Sequence, residues 1–343
     1  MTQVLKRPAG ERSVDDRGSG RDSVAGGLTT AGERGGVRLA VGVRAGRTRI
    51  TDLECRPPLQ ILRLHYLDPS APDLATAILA SPSGGILDGD AIHLEVSVGP
   101  GARLHVGTQS ATRIYRTPGA GAQFNVDIKV ADGGYLEVMP DPYIPYRASR
   151  FETKMRCEVA ERGTLVVREV VGPGRAARGE ILAFESFESR LELMRPDGEV
   201  FATDTVRLDP LDGLDSVGLI GRYRCVGSLF VVQPGFSPDV LLAGAATVAA
   251  TAATVAAGAA TVAAGAATIS PADLNPDPAV ADPAMADSDE AATWGASGLP
   301  AASGAWIRVL ARDPGMAEAI LYGAWAAARA VLVGAAPPPN HRF

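Results

Sequence analysis

The feature that most restricts this chain is a two-residue alternation that restarts about every thirty residues. Ile92, Leu94, Val96 and Val98 alternate with His93, Glu95 and Ser97 before the turn Gly99-Pro100-Gly101. Phe124, Val126, Ile128 and Val130 do the same before Asp132-Gly133-Gly134, and Met155, Cys157 and Val159 before Arg162-Gly163. A side-chain period of two belongs to strands with one face in a core. Each turn launches a new apolar run, at Leu104-x-Val106, Leu136-x-Val138 and Leu165-x-Val167, and these lie 32 and 29 residues apart. Two architectures fit that spacing: coils of a β-helix, and a sandwich of evenly spaced hairpins. Leu191 and Leu193, the turn Arg195-Pro196-Asp197-Gly198 and Val200 to Leu208 predict one further hairpin.

The expected organisation is a disordered tail over 1–36, a β-rich core over 37–240, a low-complexity insertion over 241–303 and a closing segment over 304–343. The tail is Gly/Ser/Arg/Asp-rich and has no apolar run of signal-peptide length. Residues 241–270 hold 15 alanines, with Thr247, Thr254, Thr261 and Thr268 spaced by seven. Their length alone suits a membrane span, but the flanks are Asp239 and Asp273 rather than Lys or Arg, so an insertion that continues into a Pro/Asp-rich linker is the expected reading. Trp306 to Leu310 reads as a strand. Ile320, Leu321, Trp325, Ala328 and Leu332 give helical spacing that ends at Gly334.

The net charge is -6, from 33 basic and 39 acidic side chains, and seven of the acids lie between Arg224 and Arg308, where no basic residue occurs. The remainder is near neutral, which offers no footprint for nucleic acid or an anionic membrane. Cys55, Cys157 and Cys225 are odd in number and far apart, as expected in a reducing, cytoplasmic setting. Only four histidines occur, and no HExxH, GxSxG, Walker or GxGxxG stretch. No catalytic residue and no tight metal site is therefore assigned. His93 and His105 read as surface or cross-strand residues. The densest turn chemistry is Ser81-Pro82-Ser83-Gly84-Gly85-Ile86-Leu87-Asp88-Gly89-Asp90, together with the loop Gly172-Pro173-Gly174-Arg175 to Gly179-Glu180. Paired acids such as Asp88 and Asp90 admit a different class of function, a β-helix carbohydrate hydrolase or lyase, weakened by 5% aromatics. A structural adaptor unrelated to any metalloenzyme is the third reading.

These blocks together resemble the urease accessory protein UreD/UreH family. Ser81-Pro82-x-Gly84-Gly85 to Gly89-Asp90 is similar to its PxGGxxxGD signature, and Thr108-Gln109-Ser110-Ala111-Thr112-Arg113-Ile114-Tyr115-Arg116 to its TQxATKxYR block. Leu136 to Tyr146 resembles LEWLPxPxIPF, and Gly174-Arg175 to Gly179-Glu180 resembles GRxxxGE. Asp88 stands where the family commonly has Gly, and Val138 where Trp is usual. The resemblance implies a mainly β fold, a β-helix-like stack of strands with about two C-terminal helices. It implies no enzyme, but a scaffold that binds apo-urease and UreF, and UreG through UreF, for nickel insertion. No cofactor is expected to be tightly bound, with nickel at most in transit. The carboxylates at matching positions, Asp90, Glu137, Asp141 and Glu180, are expected to line a nickel route or fix turns. Arg113, Tyr115, Arg116 and Arg175 are the expected orienting or interface residues. Ile320, Leu321, Trp325 and Arg329 are expected to give the last helix a core or partner-facing side.

Overall fold

The alternating runs form strands in a computed structural model that describes residues 34–216, 218–265 and 291–338. In chain order these are β1 (Arg34–Arg44), β2 (Arg47–Arg56), β3 (Leu64–His65), β4 (Ala75–Leu79), β5 (Ala91–Val98), β6 (Arg103–Thr108), β7 (Thr112–Ile114), β8 (Ala122–Val130) and β9 (Tyr135–Met139). There follow β10 (Tyr143–Pro145), β11 (Arg150–Val159), β12 (Thr164–Val171), β13 (Ser186–Met194), β14 (Val200–Leu208), β15 (Cys225–Val232), β16 (Ala292–Gly298) and β17 (Gly304–Ala311). The helices are α1 (Pro238–Gly265) and α2 (Pro314–Val333).

From β4 to β13 the chain winds through about four coils of a β-solenoid. Each coil places one strand in a ten-stranded sheet (β4, β6, β9, β12) and one in a seven-stranded sheet (β5, β8, β11, β13), and successive coils pair in parallel. Parallel, in-register stacking puts Leu104, Leu136 and Leu165 in one row and Val106, Val138 and Val167 in another. The thirty-residue spacing is thus one coil, and the hairpin sandwich is excluded because hairpins would pair these strands antiparallel. The predicted hairpin is present as antiparallel β13 and β14, while β15, β17 and β16 extend the ten-stranded sheet antiparallel.

Between the sheets lie the alternating residues of the sequence, among them Leu94, Val96, Val126, Ile128, Cys157 and Val159, all buried. A second core forms on the outer face of the ten-stranded sheet, where Val166, Leu229, Ile307 and Val309 meet Ile320, Leu321, Ala324 and Trp325 of α2. Asp313 caps α2 by accepting the Met316 N–H at 2.9 Å, and Gly334 ends it at φ +81°. By length and composition α2 is also the one helix among the described residues apolar enough to cross a membrane, but here that apolar face is spent on the sheet.

The Ala-rich stretch is not a linker as far as Gly265; it is helix α1, as expected of the residue with the highest helix propensity in a run free of proline. Residues 266–290 and the tail up to 33 lie outside the described residues, and β1 begins three residues before the expected core boundary. The two helices touch backbone to backbone. A Cβ on Gly244 would stand 2.3 Å from the Gly323 carbonyl oxygen, and one on Gly323 would stand 2.4 Å from that of Gly244. Gly323→Ala is expected to cost about 1–3 kcal/mol by overpacking. Gly295→Ala, where nothing lies within 4 Å, is the neutral control; equal thermal unfolding of the two variants would refute the tight crossing.

Candidate functional site

The four sequence blocks meet at the corner of the solenoid between its two sheets. Ile86 bridges to Ile114, β7 pairs with β10, and Tyr143 of β10 pairs with Val171, all in parallel. One loop from each coil is therefore stacked on the next. Gly85 is required for this approach, since a Cβ there would stand 2.6 Å from both the Arg113 carbonyl oxygen and the Tyr115 ring. Tyr115 and Tyr146 contact edge to face at 5.1 Å, and the Arg175 guanidinium lies 4.2 Å from the centre of the Tyr146 ring. The result is a ladder of Tyr and Arg running across the coils, flanked by exposed Arg113, Arg116, Arg147 and Arg178.

Three carboxylates brace this corner. Asp90 is buried and accepts the Leu87 N–H at 2.8 Å. Asp88 accepts the N–H groups of Gly119 at 2.8 Å and Gly121 at 3.0 Å, tying its loop to the coil above. Glu180 accepts from Arg175 Nε at 2.8 Å and from the Arg147 N–H at 3.3 Å. The hydrogen bonds from Arg175 hold the Glu180 carboxyl below the usual range. Asp88 and Asp90, the pair that suggested glycan chemistry, are each engaged by backbone N–H groups, which is how a carboxylate fixes a turn.

Glu137 and Asp141 belong to a different place, the outer face of the ten-stranded sheet: Glu137 lies beneath the C-terminal half of α2, beside Arg329, and Asp141 beside the start of α2. A cavity of about 420 Å³ opens there, lined by His105, Thr108, Gln109, Asp141, Arg168 and Glu318 among others. A smaller apolar chamber of about 70 Å³ lies between the sheets, and Gly107 to Ala111 form a wall common to both spaces.

Glu137 does not line either space. It is fully buried, with His105 Nδ1 at 2.8 Å from Oε2 and Arg329 Nε at 3.1 Å from Oε1, and it also accepts from the Tyr135 hydroxyl. Arg329 continues to buried Asp68, to which it donates. Burial pushes Glu137 up, but His105, Arg329 and Tyr135 outweigh it and the carboxyl stays below its ordinary value. Arg329 is likewise held charged by Glu137 and Asp68 against the effect of burial. Ile320, Leu321 and Trp325 of the same helix are buried against the sheet.

His105, Tyr135 and Asp68 join this network without any motif in the sequence to mark them. The available signal was the loss of alternation: all five residues of β9 are buried, because α2 covers the outer face that would otherwise be wet. Among the described residues no group of three or more His, Cys, Asp or Glu side chains is arranged to hold a metal ion.

Against known proteins, the family model described as UreD urease accessory protein matches residues 33–342. Urease accessory protein UreD 2 of Streptomyces griseus subsp. griseus is 35% identical over 208 residues, covering 59% of this chain and 70% of that protein. Urease accessory protein UreD of Photorhabdus laumondii subsp. laumondii is 34% identical over 63% of this chain and 68% of its own. Urease accessory protein UreD 2 of Brucella suis biovar 1 is 29% identical over 90% of this chain and 91% of its own.

Proposed function

The chain belongs to the UreD urease accessory protein family, and from that premise we propose that it is a cytoplasmic, non-catalytic scaffold that bridges apo-urease to UreF, and through UreF to UreG, during nickel insertion. The observation that carries the scaffold reading is the corner ladder: of the four stacked loops, the last three bring Arg113, Tyr115, Arg116, Tyr146 and Arg175 to the solenoid corner. Tyr and Arg are the side chains that most often anchor protein interfaces, since they bring large area at low entropy cost and bidentate donors. Ladder residues held by a rigid stack need little ordering on binding.

Nickel is cargo in this reading, not a resident cofactor. Asp141 on the 420 Å³ cavity, with the hydroxyl groups of Thr108 and Ser110 in the same lining, forms the route it favours, because one carboxylate with water and hydroxyl groups passes a divalent ion without trapping it. Asp90 and Glu180 act as braces of the corner loops, and Glu137 as a brace of the sheet beneath α2.

Co-expression with urease and the accessory proteins tests both halves. Asp141→Asn is expected to lower the nickel content of urease at least several-fold while UreF and urease still co-purify with the variant. Arg113→Glu with Arg116→Glu is expected to abolish co-purification without changing the melting temperature. Full nickel loading with Asp141→Asn sinks the route, and undiminished capture by the charge-reversed ladder sinks the docking face.

A further inference from the structure

Between the sheets, at the lateral edge where β14 faces β17, the core carries a line of polar side chains apart from the corner and from the network beneath α2. In the ten-stranded sheet the register places Glu169 opposite Ser228 and Ser228 opposite Arg308, so the three occupy one cross-strand row on the inner face. From the other sheet, the Ser189 hydroxyl donates to Glu169 Oε1 at 2.8 Å, and Asp204 takes Arg308 Nη2 at 2.6 and 2.8 Å. The Asp204–Arg308 pair is thus a clasp from one sheet to the other, a quarter exposed, and it holds the edge strand β14 onto β17.

We propose that Glu169 is a proton-controlled rival of Asp204 for Arg308. With its carboxyl protonated, Arg308 belongs to Asp204 and the seam at β14 is clasped; with it ionised, two carboxylates compete for one guanidinium and the seam loosens.

The charged and titratable groups that face Glu169 are Asp204 from β14, Arg308 from β17 and the Tyr143 hydroxyl from β10, with the neutral hydroxyls of Ser189 and Ser228 beside them. Burial pushes Glu169 up to about 7, with Asp204 adding to it and the Ser189 hydrogen bond and Arg308 opposing it. Its ordinary value is 4.5, which an opened seam would restore. The folded value is the raised one, so the clasp is fully effective below about 4.5 and weakens as pH rises to about 7, beyond which no further loss occurs. Between pH 6 and pH 8 that linkage multiplies the opened population by about ten.

Hydrogen exchange of the β14 amides that pair with β13, on the intact chain and normalised to the intrinsic rate at each pH, reads the seam directly. Protection is expected to fall about tenfold between pH 6 and pH 8 in the native chain, and to stay level in Glu169→Gln, which keeps the shape of the protonated form. Constant protection in the native chain, or an equal fall in Glu169→Gln, overturns the proposal. Should Glu169→Gln fail to fold, the carbon-13 shift of the Glu169 carboxyl in the native chain decides the matter. A midpoint near 7 supports the switch, and one near 4.5 removes it.

Discussion

Arg329→Ala is expected to destabilise the fold by about 3–5 kcal/mol. Arg329 is 2% exposed and stands between two buried carboxylates, Asp68 and Glu137. Taking away one partner of a buried ionic group leaves the others without compensation, and that loss exceeds the net value of the pairing itself. Two consequences separate this from ordinary loss of packing. Glu137 now sits below its ordinary value, so it contributes stability above that value and loses it as pH falls through the lowered one. Without Arg329, burial is opposed only by His105 and Tyr135, and the acid side of the stability profile should flatten. The triple change Asp68→Asn, Glu137→Gln and Arg329→Met removes every charge together and should recover much of the loss. Urea unfolding followed from pH 7 down to pH 3, across and below the ordinary Glu137 value of 4.5, measures both. A native-like profile for Arg329→Ala would mean that the network adds nothing to the docking of α2.

What the sequence disclosed follows from how local each signal is. The coil repeat was legible because parallel stacking requires like residues in register, so Leu104, Leu136 and Leu165 advertise it at a distance. The choice between coil and hairpin was not, since both produce the same alternation and differ only in which strands pair. The corner ladder was visible as motif blocks, yet the contact of Tyr146 with Tyr115 and Arg175 depends on coil length and not on any local pattern. His105 illustrates a further limit. Read along β6 it occupies the outward face, where an exposed or cross-strand role is expected, and only a helix more than two hundred residues later makes that face a second interior. The same covering sets Glu137, expected from its motif to be a route or structural carboxylate, in the ionic network beneath α2. Helix α1 was hidden by its composition, because alanine repeats satisfy both low complexity and high helix propensity, and only the approach of Gly244 to Gly323 decides between them.

Trp325→Ala is expected to cost about 3–5 kcal/mol, the range for removing a large aromatic from a core that cannot collapse around the space. The indole is 1% exposed, and its ring lies 5.8 Å from His105 and 5.6 Å from Tyr322, with the Arg329 guanidinium 5.8 Å from its centre. It is therefore the apolar lid over the polar network: the same ring that buries area keeps water from His105, Glu137 and Arg329. Its loss should weaken those ionic contacts as well as the packing, so the effects of Trp325→Ala and Arg329→Ala should fall short of their sum when combined. Trp325→Phe, which keeps an aromatic cover but leaves a smaller gap, should lose less than half as much and retain the coupling. Additive losses in the double variant would show that Trp325 and the network stabilise α2 separately, and a Trp325→Ala chain that melts like the native one would place the anchor of the outer face elsewhere.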